Sequence, residues 1–247
     1  MELLKMQIKN WQTFSNVSLE CKNFLVFIGE SSTGKSSFMK ALLYFFQARN
    51  LHKGDIKNPE LPLEIIGTLK GEKEHVFQLR ILNNPYQDTR YFIKNHISKH
   101  EKDNRNWEEI EEKDYKKYVS EISIFYVPAF TKISYLNYLV ERLFQKENLR
   151  KYYKYYKKFK NAINSKMSFG YYRHIFIEFL HEIVEKEKSH TFWENCILLW
   201  EEPEFYLNPQ QERACYDALL QNTKLGLMAI VSTNSSRFIE LENYQSL

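Results

Sequence analysis

Glycine, proline and cysteine are scarce in this sequence: its 247 residues include seven glycines, six prolines and three cysteines. The three cysteines, Cys21, Cys196 and Cys215, have neither metal-ligand spacing nor a framework pattern, which argues against a zinc module and a disulfide scaffold. Two of them lie in apolar or helical surroundings, so we expect buried free thiols in a reducing compartment. The sequence also lacks a low-complexity linker and an internal repeat.

Long apolar runs are absent as well. No stretch approaches the ~20 residues that a membrane helix needs, and the N-terminal "MELLKMQIKN" lacks the apolar core of a signal peptide. A strong charge of one sign is also missing, because the formal net charge is only +4. Such a charge favours a nucleic-acid partner only where it is concentrated on one face. We therefore expect a cytoplasmic protein without membrane insertion.

The composition that remains is typical of a globular protein. Hydrophobic residues make up 43% of the sequence and charged residues 27%, and it contains 17 Tyr and 18 Phe. This length is sufficient for a large core in one or two domains.

Strands are predicted to alternate with helices at both ends of the chain, which favours an α/β sheet. The first segments are the strands "LLKMQIKNWQTF" and "NVSLECKNFLVFIG" and the helix Lys35–Gln47. Near the C-terminus, a helix over Ser168–Lys186 precedes an apolar strand from Ile197. A helix with Asn208 as N-cap and Pro209 in its first turn follows, and then the strand "GLMAIVSTN".

The middle of the sequence is predicted to be an insertion into this sheet. It begins with three β segments, "LEIIGTLKG", "HVFQLRIL" and "TRYFIKNHI". We then expect "NWEEIEEKDYKKYVSEI" to form a solvated helix, "ISIFYVPA" a buried strand, and residues 131–166 to be helical.

The stretch "GESSTGKSS" follows the apolar end of the second strand and leads into the helix at Lys35. It fits G-x-x-x-x-G-K-[ST] in the strand–loop–helix context of a phosphate-binding loop. Glycines let the backbone wrap an anion, and N–H groups at a helix start attract one. We expect Lys35 to reach the β- and γ-phosphates and Ser36 to ligate Mg²⁺. The alternative is a Gly-Ser turn that only opens a helix. The predicted nucleotide-binding residues are Gly29, Glu30, Ser31, Ser32, Thr33, Gly34, Lys35, Ser36 and Ser37.

Two adjacent glutamates end the apolar strand in "ILLWEEPEFYLNPQQ". Burying a carboxylate is costly without a partner, and a Mg²⁺ held by one serine and two phosphates would be such a partner. We expect Glu201 to ligate the metal and Glu202, which projects differently, to orient or deprotonate the attacking water. The alternative is an exposed acidic turn, and the phosphate loop favours the functional interpretation.

Four motifs together resemble the ABC-type ATPase superfamily, in the order that the family has them. The resemblance is greatest to the RecF/SMC-like heads and especially to the OLD-type (overcoming-lysogenisation-defect) ATPases. The opening "IKNWQTF" with "FLVFIGESSTGKSS" is similar to the start of those heads, and "MSFGYYR" is similar to the ABC signature. "ILLWEEPEFYLNPQQ" resembles the Walker B strand with its following loop, and "AIVSTNS" resembles the switch segment.

This resemblance implies a fold and a mechanism. The fold would be an α/β P-loop NTPase, the ABC-ATPase head, with an N-terminal antiparallel β region and an inserted helical lobe at 130–166 of a single head over 1–247. Two heads would dimerise around two ATP molecules, with Ser168 and Gly170 of one head contacting the γ-phosphate held by Lys35 of the other. The start of a predicted helix suits that contact, although Ser168 can equally be the N-cap of a core helix.

The sequence departs from the family at three positions. Asn234 stands where the switch residue is usually histidine; it can donate a hydrogen bond to phosphate but carries no charge. The place comparable to the Q-loop reads "YVPAF", with Ala129 and no glutamine, and Gln12 stands where a basic residue is common. We therefore predict ATP binding with slow hydrolysis, in which Glu202, Lys35 and Asn234 act catalytically.

The segment "KENLRKYYKYYKKFKNAINSK" is strongly basic and lies at Lys146 to Lys166. It has one apolar face, so the plain interpretation is an amphipathic helix with a solvated lysine side. The alternative is a nucleic-acid surface on which tyrosines stack with bases and lysines contact the phosphate backbone. The apolar face consists of Leu149, Tyr152, Tyr156, Phe159 and Ile163. The candidate nucleic-acid contacts are Lys151, Lys154, Lys157 and Lys158, with Tyr153 or Tyr155 stacking.

The sequence as a whole predicts an ATP-dependent homodimer with ATP and Mg²⁺ as cofactors. The resemblance suggests that it controls a partner effector in DNA maintenance or prokaryotic defence. OLD-type proteins continue into a nuclease domain; because this sequence ends soon after the switch segment, we expect any nuclease or effector to be a separate chain. The alternatives are the cytosolic ATP-binding subunit of an ABC transporter and a non-hydrolysing ATP switch.

Overall fold

The computed structural model describes residues 1–30, 32–47, 51–71, 76–84, 89–97, 107–145, 147–163, 169–187 and 193–238. The chain forms two compact units. The first consists of Met1–Lys22 with Ser31–Ile124, and the second of Asn23–Glu30 with Phe125–Leu247. None of the helices in the described ranges is both long enough and apolar enough to cross a membrane.

The first unit is built on a six-stranded antiparallel sheet of order β2-β1-β4-β5-β6-β7. Strand β1 buries every second residue over Met6–Asn10, as expected for a sheet with one face on the core, whereas the first five residues of β4 are all buried. The strands are β1 (Glu2–Trp11), β2 (Phe14–Glu20), β4 (Leu63–Lys70), β5 (Val76–Asn84), β6 (Thr89–Ile97) and β7 (Glu108–Ile110).

Helix α1 (Lys35–Gln47) packs against this sheet and against helix α2 (Glu112–Ser120). It comes unusually close to β4 at Gly67, because a Cβ at that position would lie 2.4 Å from Cζ of Phe45. The hydroxyl of Tyr115 in α2 donates to the main-chain oxygen of Phe45 at 2.7 Å, an ordinary length for an O–H···O bond. A short 3₁₀ helix, Lys53–Asp55, follows α1 along the chain.

The second unit contains a four-stranded sheet of order β3-β10-β9-β8. Strand β10 runs parallel to both β3 and β9, and every residue of β9 and β10 is buried. Such continuous apolar runs are typical of parallel strands covered on both faces. The strands are β3 (Phe24–Ile28), β8 (Ser123–Val127), β9 (Cys196–Glu201) and β10 (Met228–Thr233).

Helices supply most of the remaining core of the second unit. Asn208 caps the last long helix: its side-chain oxygen accepts from the N–H groups of Gln210 and Gln211 at 3.1 and 3.0 Å. The helices are α3 (Ile133–Gln145), α4 (Tyr153–Ile163), α5 (Phe169–Lys186) and α6 (Pro209–Lys224), with 3₁₀ helices at Glu147–Tyr152 and Ser236–Phe238.

The predicted α/β fold is confirmed, and α1 has the predicted bounds. Three local predictions are wrong. The segment "NVSLECKNFLVFIG" is two strands, β2 and β3, which belong to different sheets. The predicted solvated helix begins with strand β7, and the basic segment opens with a 3₁₀ helix instead of continuing as one α-helix. All three cysteines are free, and Cys196 and Cys215 are buried as predicted.

Candidate nucleotide-binding site

The predicted phosphate loop connects β3 to α1. Gly34 has φ +100°, and a Cβ there would meet the Thr13 hydroxyl at 2.9 Å and the Phe14 ring at 3.0 Å. Both facts require glycine, because L-residues rarely adopt this conformation and the space is already filled. Ser32 also has a positive φ, +70°. The chain thus turns tightly before the helix, while Ser31 lies outside the described residues.

The first turn of α1 has the features of an anion site. It contains no acidic residue, and Lys35 is its first residue. The N–H of Phe38 bonds back to the oxygen of Gly34 at 3.0 Å, which begins the helix. The indole Nε1 of Trp11 donates to the oxygen of Ser37 at 2.8 Å and fixes the turn to β1. Ser36 is exposed, so its hydroxyl is accessible to a ligand.

The carboxyl ends of three parallel strands lie at one edge of the second unit's sheet. Ile28 of β3 is opposite Thr233 of β10, and Ser232 of β10 is opposite Glu201 of β9. With strands ~4.8 Å apart, the ends of β3 and β9 are about 10 Å from each other. Gly29, the first glycine of the predicted loop, therefore leaves the sheet at the edge where Glu201 and Glu202 leave it.

Glu201 is buried, with 8% of its surface exposed. Its Oε2 accepts from the N–H of Ala129 at 3.4 Å, whereas its Oε1 has no hydrogen-bond partner among the described residues. A buried carboxylate oxygen without a partner is costly unless a cation is bound. The arrangement therefore fits Mg²⁺, which prefers one or two carboxylates together with phosphate oxygens. Among the described residues, no cluster of three His, Cys, Asp or Glu could hold a metal ion.

Glu202 points to the end of β10. Its N–H donates to the oxygen of Ser232 at 2.7 Å, and its Oε1 accepts from Nδ2 of Asn234 at 3.0 Å. The N–H of Asn234 donates to Oε1 of Glu204, also at 3.0 Å. Glu202 has φ +45°, an uncommon conformation for a residue with a side chain. The Glu201 and Glu202 carboxylates therefore have different partners, although the two residues are adjacent in sequence.

Arg173 is a part of this site that sequence reasoning missed. Only 1% of it is exposed, and its guanidinium donates to three main-chain oxygens. Nη2 bonds those of Glu201 at 2.6 Å and Glu202 at 2.8 Å, and Nη1 bonds that of Ala129. The only feature of the sequence that could have indicated this role is the position of Arg173 at the end of the signature-like "MSFGYYR".

Burial is the main influence on the charge of Arg173. It lowers the pKa of Arg173 to about 10, against the attraction of negative groups that include Glu204, Glu202 and Glu201. The side chain therefore remains charged at neutral pH. Since it bonds main-chain oxygens, it fixes the backbone that carries the glutamates and does not occupy their carboxylates.

Gly170, one of the two predicted signature residues, lies in the first turn of α5. Gly170 is buried, and a Cβ there would lie 2.1 Å from the main-chain oxygen of Tyr206. Glycine is needed at this position because the loop after β9 passes directly over the helix. This packing requirement is separate from any contact with a phosphate. Ser168 lies outside the described residues.

A phosphate loop between a strand and a helix, with a buried carboxylate ending a nearby parallel strand, defines a P-loop NTPase. The comparisons agree with this class: a sequence model of the family described as "AAA ATPase domain" matches residues 1–167. The chain belongs to that family. No curated protein matches the chain.

Two solved structures of similar fold are heads of SMC proteins. The SMC head domain from Thermotoga maritima has a TM-score of 0.63 and 12% identity, covering 96% of this chain and 91% of its own. An SMC head bound to the C-winged helix domain of ScpA has a TM-score of 0.69 and 13% identity, with the same coverages. The predicted ATPase domain is thereby confirmed, and the fold is that of an SMC head, as the RecF/SMC-like resemblance implied.

Proposed function

We propose that this chain binds Mg-ATP, hydrolyses it slowly and dimerises on ATP to control a partner protein. The observation that carries the proposal is the pair of glutamates at the end of β9. Glu201 holds a buried oxygen that lacks a protein partner among the described residues, and Glu202 is oriented by Asn234. This division of two adjacent carboxylates suits a metal ligand beside a general base.

In the proposed reaction, water attacks the γ-phosphorus of ATP and its proton passes to Glu202, so that ADP and phosphate leave. Asn234 holds the Glu202 carboxylate through Nδ2. Lys35 and the N–H groups at the start of α1 bind the β- and γ-phosphates. Ser36 and Glu201 would hold Mg²⁺, which neutralises charge on those phosphates when it is bound. An asparagine at the switch position contributes no positive charge, which is why we expect slow turnover.

The dimer is proposed to place Ser168 and Gly170 of one head against the γ-phosphate bound by the other. Exposed aromatic residues in and beside the loop after β9 support an interface there. Phe130 is 75% exposed and Tyr206 62% exposed, and Phe205 contacts both rings, with centroids 5.1 and 4.1 Å away. Large exposed apolar groups of this kind often mark protein contacts.

We further propose that residues 1–247 act as one head, with the segment 130–166 as its inserted helical lobe, and that a separate effector binds it. An SMC head of similar fold is bound to the C-winged helix domain of ScpA, so such a head is able to carry a second chain. The OLD-like character and a role in DNA maintenance or prokaryotic defence remain part of the proposal.

The first experiment is light scattering of wild type and Glu202→Gln with and without Mg-ATP, together with phosphate release. Glutamine keeps the hydrogen bond from Asn234 but does not accept a proton. We expect Glu202→Gln to dimerise with ATP and to release no phosphate, whereas wild type dimerises and turns over slowly. Lys35→Ala serves as the control that loses ATP binding.

Other results would favour the rival functions. Unchanged mass in ATP with no hydrolysis by wild type would contradict the proposal and favour a nucleotide-sensing module. Equal phosphate release by wild type and Glu202→Gln would remove Glu202 from the reaction. Recovery of a membrane protein with the wild-type chain would favour a transporter subunit.

Nucleic-acid binding is a second proposal, favoured by a surface of paired lysines and tyrosines. Each of four lysines on the basic segment lies over a tyrosine ring, at 5.1 to 5.9 Å from its centroid. Tyr153 is half exposed and remains the better stacking candidate, because Tyr155 lies between Lys154 and Lys186. The pairs are Lys151–Tyr152, Lys154–Tyr155, Lys157–Tyr153 and Lys160–Tyr156.

A further inference from the structure

The chain segment after α1 is hydrogen-bonded to the end of β1 and to the turn between β1 and β2. Asn10 is buried, has φ +57° and makes three side-chain bonds to this stretch. Its Nδ2 donates to the oxygens of Asn58 (2.8 Å) and Leu61 (2.7 Å), and its Oδ1 accepts from the N–H of Asn58 (2.7 Å). The N–H of Lys57 donates to the main-chain oxygen of Asn10 at 3.3 Å. These bonds define the position of Lys57.

Gln12, at the same turn, is hydrogen-bonded to Asp55. Its Nε2 donates to Oδ1 of Asp55 at 2.8 Å, and its N–H donates to the main-chain oxygen of Asp55 at 2.8 Å. The carboxylate of Asp55 also accepts from the N–H of His52. Asp55 is thereby used within the loop and Gln12 within the turn, so neither is set up to bind an anion.

Lys57, by contrast, is a positioned cation without a carboxylate partner among the described residues. Its Nζ donates to the main-chain oxygen of Thr13 at 3.1 Å and to the hydroxyl of Ser15 at 2.7 Å. Both acceptors are neutral, so the positive charge is not compensated. An ammonium group has three N–H donors, and two are used here.

Thr13 links Lys57 to the phosphate loop. Its main-chain oxygen accepts from Lys57, and its hydroxyl lies against Gly34, 2.9 Å from where a Cβ would be. The turn that holds the Lys57 ammonium is therefore the turn that packs on the glycine before Lys35. The first turn of α1 lacks acidic residues, so nothing in it would offset this added charge.

We propose that Lys57 is a second cation for the nucleotide, contacting a phosphate of the polyphosphate chain bound at Gly29–Ser37. The inference rests on the proposed nucleotide binding and adds a residue outside the motif. The plain interpretation, a lysine that only caps the turn, explains its two hydrogen bonds. It does not require a charge, since a neutral donor would serve equally well.

The test compares nucleotide affinities of four variants of the full chain by calorimetry. Lys57→Gln retains a donor without charge, Lys57→Met retains neither, and Lys57→Arg retains the charge. Lys40→Met removes an exposed lysine from α1 and controls for net charge. Mg-ATP and inorganic triphosphate are the ligands, and thermal unfolding without ligand reports whether each variant is folded.

We expect Lys57→Gln and Lys57→Met to bind Mg-ATP about tenfold more weakly than wild type, the loss typical of one charge-assisted hydrogen bond. The affinity for inorganic triphosphate should fall by a similar factor in these two variants. The affinities of Lys57→Arg and Lys40→Met should remain close to those of wild type. Wild-type affinity in a folded Lys57→Gln would overturn the proposal. A loss for ATP without a loss for triphosphate would also overturn it, because the contact would then be to the base or ribose.

The failure of this inference is distinguishable from that of nucleotide binding itself. If wild type binds neither ligand, the proposed function fails. If wild type binds Mg-ATP, Lys35→Ala does not, and Lys57→Gln matches Lys40→Met, only the role of Lys57 fails. Should Lys57→Met fail to fold, the comparison of Lys57→Gln with Lys57→Arg still decides the question.

Discussion

Arg173 is the clearest case of a residue whose role depends on where its partners are. It contacts the main chain at three places: Ala129 after β8, and Glu201 and Glu202 at the end of β9. A planar guanidinium reaches several oxygens at once, whereas an ammonium acts as a point charge. We infer that Arg173 is a positioning residue for the two glutamates.

Replacing Arg173 should therefore affect both stability and turnover. Arg173→Met leaves three main-chain oxygens without their donor, and we expect the free energy of unfolding to fall by about 3 kcal/mol. Arg173→Lys retains the charge and should recover part of that loss but not the rate of phosphate release. Urea unfolding and a phosphate-release assay measure the two effects.

The matched control is Arg213→Met, because Arg213 forms an exposed pair with Asp217 in α6. Exposed pairs of this kind contribute little to stability. Equal unfolding midpoints for the Arg173 and Arg213 variants would contradict the positioning role. Full activity in Arg173→Lys would show that the charge alone is sufficient.

At the scale of elements, helix α5 and the loop after β9 are fitted to each other at Gly170. The loop itself has positive φ values at Glu202 (+45°) and Tyr206 (+66°), so its shape depends on surrounding contacts. Those contacts include the N–H of Phe205 to the oxygen of Glu202 (3.0 Å) and the N–H of Leu207 to that of Glu204 (2.9 Å). A change at Gly170 would therefore reach the carboxylates through the backbone.

Gly170→Ala separates packing from helix propensity. In an exposed helix the substitution would stabilise by about 1 kcal/mol, but here the new Cβ would meet the Tyr206 oxygen at 2.1 Å. We expect the free energy of unfolding to fall by about 1–3 kcal/mol, as for other overpacked sites. Gly54→Ala, with nothing within 4 Å of its Cβ, is the control in the same urea titration. A stabilised Gly170→Ala would disprove the close approach.

Sequence patterns predicted most helices and strands. They failed for strands whose assignment depends on the strand with which they pair. Helix α1 has both an apolar face and a glycine turn before it, so its bounds were predicted fully. The strands β2 and β3 follow each other closely along the chain, and only the pairing shows that β2 joins β1 whereas β3 joins β10. The acidic β7 has no strand-like pattern at all, and it pairs with β6 through main-chain bonds.

At the scale of the whole molecule, the net charge of +4 is small and its distribution matters more than its size. Lysines of the basic segment alternate with tyrosines over Lys151–Lys160. Lys151 is also paired with Glu187 at 3.0 Å, and this hydrogen bond raises the pKa of Lys151. Lys154 and Lys157 are therefore expected to contribute more than Lys151 to any phosphate contact.

Nucleic-acid binding should then depend steeply on salt. We expect Lys154→Glu with Lys157→Glu to weaken binding to a single-stranded oligonucleotide and to flatten the slope of log affinity against log salt, since fewer counterions are released. Fluorescence anisotropy at several salt concentrations measures it. Lys113→Glu with Lys116→Glu, which reverses exposed lysines of α2 paired with Glu111 and Glu112, is the control. Identical slopes for both double variants would rule out this surface.

By itself the sequence determined the fold class, and it predicted the residue types of the candidate site. The phosphate loop, the paired glutamates and the cap at Asn208 are local patterns, in which neighbouring residues contain all the information that the chemistry needs. Only the tertiary structure decided that Arg173 bonds the main chain of both glutamates, that Gly170 must lack a side chain, and that Lys57 is held at the turn on Gly34. These contacts join residues 20 to 44 positions apart, and no local sequence pattern predicts which distant group a residue will contact.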